Sequence, residues 1–258
     1  MSVVIHPTAI VETGAELDED VRVGAFAYIG SKAQIGARTV IHHHASIELT
    51  TIIGQDCEVF PYALIGGLSQ DLKYKGEDSG VKIGDRTVLR EFTTIHIATG
   101  EGKFTTLGND NFILAYSHIA HDCSVGNHLI MSSHAALAGH VQIGDHVNIG
   151  WSTGIHQFCK VGSYAMLGGV TKLVQDVPPY MLADGNPATV KTINKVGLQR
   201  AGFSKEELLN ARKAYKYLYR EGLLRKDAIA KMKAEEYKDS KIMQAVIDFL
   251  QQSKRGLA

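Results

Sequence analysis

Residues 5–41 read IHPTAIVETGAELDEDVRVGAFAYIGSKAQIGARTVI, and an aliphatic stands at every sixth position: Ile5, Val11, Leu17, Val23, Ile29, Ile35 and Ile41. The series continues through Ile65, breaks at Asp71 and Glu77, resumes at Ile83, Leu89 and Ile95, and breaks again at Glu101. It then runs unbroken from Leu107 to Leu173, so 26 of 29 slots are aliphatic. Four residues after each aliphatic comes a second restricted slot, mostly small, filled by Ala9, Ala15, Ala27, Ala45, Cys57, Ala63 and later by Cys123, Ala135 and Cys159. A period of six does not fit a helix. A short strand with alternate residues inward, followed by a two-residue corner, produces it.

The pattern predicts a β-solenoid, whose turns cannot bury their apolar stripe singly and must stack at about 4.8 Å. Where the register fails, the chain has room to leave the solenoid as loops, near 68–80 and 98–103. The first loop clusters Asp71, Lys73 and Tyr74. Loops carried on a rigid scaffold are candidate functional segments.

The solenoid pattern ends near Pro178 and Pro179. Ser204 with Glu207 then forms a capping box that opens a helix running to about Glu221 and stopping at Gly222. Further helical stretches are expected near Lys226–Tyr237 and Asp239–Gln252. The expected organisation is a mainly β repeat domain over 1–190 and a small all-α domain over 191–258. Charge divides the same way: 11 Lys+Arg against 19 Asp+Glu in the first part, and 16 against 8 in the second. No stretch approaches the ~18 apolar residues of a membrane span, and no basic-then-apolar leader opens the chain, so a cytoplasmic protein without a nucleic-acid partner is expected.

Cys57, Cys123 and Cys159 all occupy the inward slot and read as small core residues. None of the 12 histidines lies in either inward slot, so all should point away from the solenoid core. With 18 residues to a turn, Asp122 and His140 should stand one above the other, with His121 beside them. A carboxylate next to a histidine favours the protonated ring and strengthens it as a general base. The His118-x-x-His121 spacing also admits a metal reading, although spacing compels no third ligand.

Four segments in order, Gln70-Asp71-Leu72-Lys73-Tyr74, His118-Ile-Ala-His121-Asp122-Cys123, His156-Gln157-Phe158-Cys159 and Gln175-Asp176-Val177-Pro178-Pro179-Tyr180, closely resemble the UDP-N-acetylglucosamine O-acyltransferase family of lipid A biosynthesis. The resemblance extends through the tail beginning near Arg200-Ala-Gly-Phe203. It implies a left-handed parallel β-helix, a homotrimer with clefts between subunits, and transfer of an R-3-hydroxyacyl chain from acyl carrier protein to the sugar 3-position. By the same resemblance His121 is the general base, Asp122 orients it, and the Gly139 N–H stabilises the oxyanion. Gln70, Asp71, Lys73, His96, His118, His140 and Gln157 would contact sugar or phosphates, and Asn194 and Arg200 the nucleotide. Gly169 would lie at the far end of the acyl groove and admit a long chain, about 14 carbons. The basic tail would suit an acidic carrier protein. No metal or organic cofactor is implied.

The chain departs from the family pattern at Ile97 and Ala98, where many members have Arg-Gly, at Pro187, where some have His, and at Val196, where Glu is common. Some relatives act on a 3-amino sugar, which is the alternative acceptor. A trimeric zinc lyase of the gamma carbonic anhydrase type is the rival enzyme class, and an ice-binding or structural solenoid the non-enzyme rival. A sister N-acyltransferase carries an extra domain before its solenoid, whereas here the repeats begin at Ile5.

Overall fold

Each hexad folds as a two-residue strand and a corner, and the computed structural model describes residues 2–258 on this plan. Strands three apart in sequence pair in parallel, from Val4–Ile5 to Lys172–Leu173. This gives three sheets of 11, 9 and 8 strands that form the sides of a prism. We call them sheets 1, 2 and 3, beginning at Val4–Ile5, Ile10–Val11 and Glu16–Leu17. The hexad aliphatics from Val23 to Leu173 fill the interior, and the three cysteines are buried among them without disulfides. The fold is the expected left-handed parallel β-helix with a helical C-terminal part.

Most corners turn the chain within two residues by placing the second in the left-handed backbone region, as at Asp20, His44, Asp122, His134, His140 and Phe158, with φ between 58 and 65°. Aspartate and histidine tolerate this region better than most side-chain-bearing residues. Corner side chains therefore stack coil upon coil. Tyr62, Phe92, Tyr116 and His134 form a ladder along the corner between sheets 1 and 2, with ring centroids 4.7–5.0 Å apart.

The normal coil spans 18 residues, as in the bond from Asn109 N–H to Asn127. Two coils are longer. Gln55 reaches Asp85, 30 residues on, and Asp85 reaches Asn109, 24 on. The excesses over 18 are 12 and 6, both whole hexads, so the aliphatic register survives the loops. The chain leaves the solenoid between strands Leu64–Gly67 and Gly80–Ile83, and between Thr94–His96 and Phe104–Leu107.

Past Leu173, sheet 1 gains two strands that the hexad pattern does not foretell: Met181–Gly185, parallel to its neighbour, and Ala188–Ile193, antiparallel. The second runs across residue 190. Helix α1 spans Lys195–Arg200, α2 Lys205–Tyr219, α3 Arg225–Met232 and α4 Lys241–Gln252. The Ser204–Glu207 capping box is formed, but α2 ends at Tyr219, two residues short of the expected Glu221. The tail returns to the solenoid: Ser253 Oγ donates to the buried Asp176 at 2.7 Å, and the Asp176 N–H donates to the Gly256 carbonyl. Among the described residues no helix is long and apolar enough to cross a membrane.

Candidate active site

The corner between sheets 2 and 3 carries Asp122, His140 and Phe158 in successive coils, because all three hold its left-handed position. His121 Nδ1 and Asp122 Oδ2 are 2.9 Å apart, and the two side chains are only 13% and 10% exposed. His140 Nε2 stands 3.8 Å from the same carboxylate oxygen, its ring stacked on Phe158 at 4.5 Å and edge-on to His121 at 5.3 Å. The expected stacking of Asp122 beneath His140 is thus present.

Asp122 is held from two further sides. Its own N–H donates to Thr105 Oγ1 at 2.9 Å, and Oδ2 accepts the Thr99 N–H at 3.1 Å. Thr99 belongs to the shorter loop and is tied to the longer one through Ser69, 2.8 Å away. Both loops therefore brace the His121–Asp122 pair. Thr99, Thr105 and Ser69 were not singled out from sequence, and only stacking across 17 to 30 residues gives them their role.

Gly139 is buried against the His121 ring, where an added Cβ would lie 2.6 Å from Nε2. Its carbonyl accepts from the Phe158 N–H, while its own N–H has no acceptor among the described residues. Asp71 comes over from the longer loop, its carboxyl held below the usual range chiefly by the Lys73 N–H that donates to it at 2.9 Å. Asp71, His121 and His140 place ligand atoms within 4.8 Å of one another. This three-residue group differs from the His118-x-x-His121 spacing, since His118 Nδ1 is engaged with Thr94 at 2.8 Å.

His96 and His118 meet edge-on at 5.1 Å. His96 is only 8% exposed, lying against Gly67, so it faces away from the solenoid interior yet is buried where the longer loop departs. Burial pushes the His118 imidazole down to about 4 and lowers His96 as well, which keeps both rings neutral near pH 7. Gln70, Lys73 and Gln157 are exposed around the corner.

Asn194 and Arg200 lie elsewhere. They line a cleft of about 740 Å³ on the outer face of sheet 1 with His128, His146, Tyr164 and Val196, apart from the His121 corner. Asn194 is largely spoken for, since it caps α1 through Gly197 N–H and donates Nδ2 to the Tyr164 carbonyl at 2.9 Å. Arg200 is exposed. Gly169 sits at the corner between sheets 1 and 2, one coil above Trp151.

A prism of six-residue repeats, here with a histidine–carboxylate pair set into one corner, is the fold of the hexapeptide-repeat acyltransferases. Residues 176–258, which take in the last two strands of sheet 1 and the helical tail, match the family model described as Udp N-acetylglucosamine O-acyltransferase, Domain 2. An acyl-[acyl-carrier-protein]--UDP-N-acetylglucosamine O-acyltransferase of Paraburkholderia phymatum is 47% identical over 257 residues, 98% of each chain, and one of Thermodesulfovibrio yellowstonii is 47% identical over 254 residues, again 98% of each. LpxA from Acinetobacter baumannii superposes with a TM-score of 0.96 over 99% of both chains at 42% identity. The chain belongs to the UDP-N-acetylglucosamine O-acyltransferase family.

Proposed function

We propose that this protein transfers an R-3-hydroxyacyl chain from acyl carrier protein to the 3-hydroxyl of UDP-N-acetylglucosamine, the first step of lipid A biosynthesis, with His121 as general base. The observation that carries the reading is His121 held between Asp122 and Gly139. With Nδ1–H donating to Asp122, Nε2 bears the lone pair. It takes the proton from the sugar hydroxyl as that oxygen attacks the thioester carbonyl. The unengaged Gly139 N–H then meets the oxyanion. Collapse breaks the carbon–sulfur bond, and the imidazolium returns its proton to the leaving thiolate. Protons and charge balance with no metal in the scheme.

Around this pair, Asp71, His118 and His140 would hold the sugar, and Lys73 with Gln70 and Gln157 the more polar parts of the acceptor. His96 would act through His118, against which it packs. Asn194 and Arg200 serve the nucleotide of a neighbouring subunit's site. The outer faces support such a homotrimer. Sheet 1 presents Val40, Phe112 and Ile130 and sheet 2 presents Ile10, Tyr28 and Leu64, whereas sheet 3 presents Glu16, Lys82, Gln142 and Lys160. Packing sheet 1 of one copy on sheet 2 of the next buries the apolar faces and sets the Arg200 cleft opposite the His121 corner. The basic tail, with 16 Lys+Arg in residues 191–258, suits an acidic carrier protein.

The test is acyl transfer from carrier-bound chains to UDP-N-acetylglucosamine and to its 3-amino analogue. Wild-type transfer to the hydroxyl, lost in His121→Ala with the fold intact, supports the assignment. Full activity of His121→Ala would remove the base, and preference for the amine would change the acceptor.

A further inference from the structure

The outward positions of sheet 2 beside the His121 corner run His118, Ala136, Gly154, Lys172 in register. The middle two carry almost no side chain, and a Cβ added at Gly154 would meet nothing within 4 Å. Ala136 and Gly154 therefore leave the strip between His118 and Lys172 nearly bare of side chain. One end opens at the corner holding His121 and His140. The other end reaches the corner between sheets 1 and 2, about 16 Å away for five residues of strand.

At that far end stands Trp151, the chain's one tryptophan and 56% exposed. The same corner slot in the adjacent coils holds Ala115, Ser133 and Gly169, all small. The indole lies 6.2 Å from the His134 ring, and the Trp151 carbonyl accepts the Val170 N–H at 2.7 Å directly beside Gly169. A glycine at 169 opens space only if its neighbour does not fill it, and here the neighbour is the largest side chain available.

We propose that Trp151 is the end wall of the acyl groove and so limits the length of chain accepted. This rests on the acyl-transfer reading above. A floor without side chains suits a polymethylene chain, which offers only its apolar surface, and a flat indole edge suits its terminal methyl. The chain length accepted is then shorter than Gly169 alone would allow.

The test compares wild type, Trp151→Gly, Trp151→Phe and Gly169→Met as intact trimers, with acyl carrier protein bearing chains of graded length. Trp151→Gly is expected to move the optimum to chains longer by roughly two carbons and raise kcat/KM on those chains by roughly tenfold or more, with Trp151→Phe between. Gly169→Met should shorten it. A Trp151→Gly profile that superposes on wild type overturns the proposal. Should that variant fail to fold, wild-type indole fluorescence on binding long-chain acyl carrier protein decides: a change supports the end wall, and no change overturns it. Absence of transfer by wild type at every length would instead defeat the acyl-transfer reading itself.

Discussion

The Cβ that residue 139 lacks would stand 2.6 Å from Nε2 of His121, closer than any real contact, so the imidazole occupies space that only glycine leaves open. Gly139→Ala should therefore displace the ring by a fraction of an ångström without touching the hydrophobic interior. A shift of that order near reacting atoms costs about 10²-fold in rate. We expect kcat to fall by about that factor while the unfolding midpoint barely moves; unaltered turnover would show that His121 need not sit there.

The His121 corner and the Arg200 cleft lie on different edges of one prism. If one subunit supplies the base and its neighbour the arginine, His121→Ala and Arg200→Ala protomers should complement each other. After unfolding and co-refolding an equal mixture, roughly a quarter of the interfaces combine both native residues. Recovery of about that share of wild-type activity at low nucleotide-sugar concentration is expected. No recovery would place both residues in one subunit's site.

Burial holds His118 at about 4 against 6.5 in the open chain, and His96 is lowered in the same sense. Below pH 6.5 the unfolded chain takes up protons that the folded protein refuses. Stability must therefore fall as pH drops from about 6.5 to 4, by up to about 1.4 kcal/mol per pH unit from His118, with His96 adding in the same direction. Urea unfolding at pH 7, 6 and 5 should show this slope, reduced by nearly one proton in His118→Gln. An identical slope in the variant would contradict the burial.

Asn111 fills an inward slot otherwise held by small or aliphatic residues. Its Nδ2 donates to the Gly108 and Gly126 carbonyls at 2.8 and 3.1 Å, and its Oδ1 accepts the Leu129 N–H at 2.7 Å. Asn111→Leu keeps the volume but leaves the buried Leu129 N–H and the partly buried Gly126 carbonyl without their partner, at about 1–3 kcal/mol each. A loss of about 3 kcal/mol in chemical denaturation is expected, and a loss below about 1 would mean that the corners re-pair by themselves.

The repeat was legible because one side-chain class at one spacing decides it: Ile29, Ile47 and Ile65 have no other place to go than inside. Stacking of Asp122 under His140 followed from the coil length alone. The strand Ala188–Ile193 and helix α1 were not legible, because six residues of mixed character belong to no period until sheet 1 offers them an edge. His96 was named among the candidates, but its burial was not legible because it is covered by a loop rather than by the interior, and the part of Thr99 was not because the backbone N–H that matters carries no sequence signature. The separation of Arg200 from His121 is a property of the prism's three edges, which periodicity does not number.

Coil length also governs how the chain reaches this shape. Nearly every contact in the solenoid closes a loop of 18 residues, so coiling can start at any level and spread to its neighbours like a zipper. The coils of 30 and 24 residues are the exceptions, each costing a few tenths of a kcal/mol more to close. The two loops that brace His121 and Asp122 leave from these longer coils. The solenoid on either side can therefore close more cheaply than the coils that carry the loops.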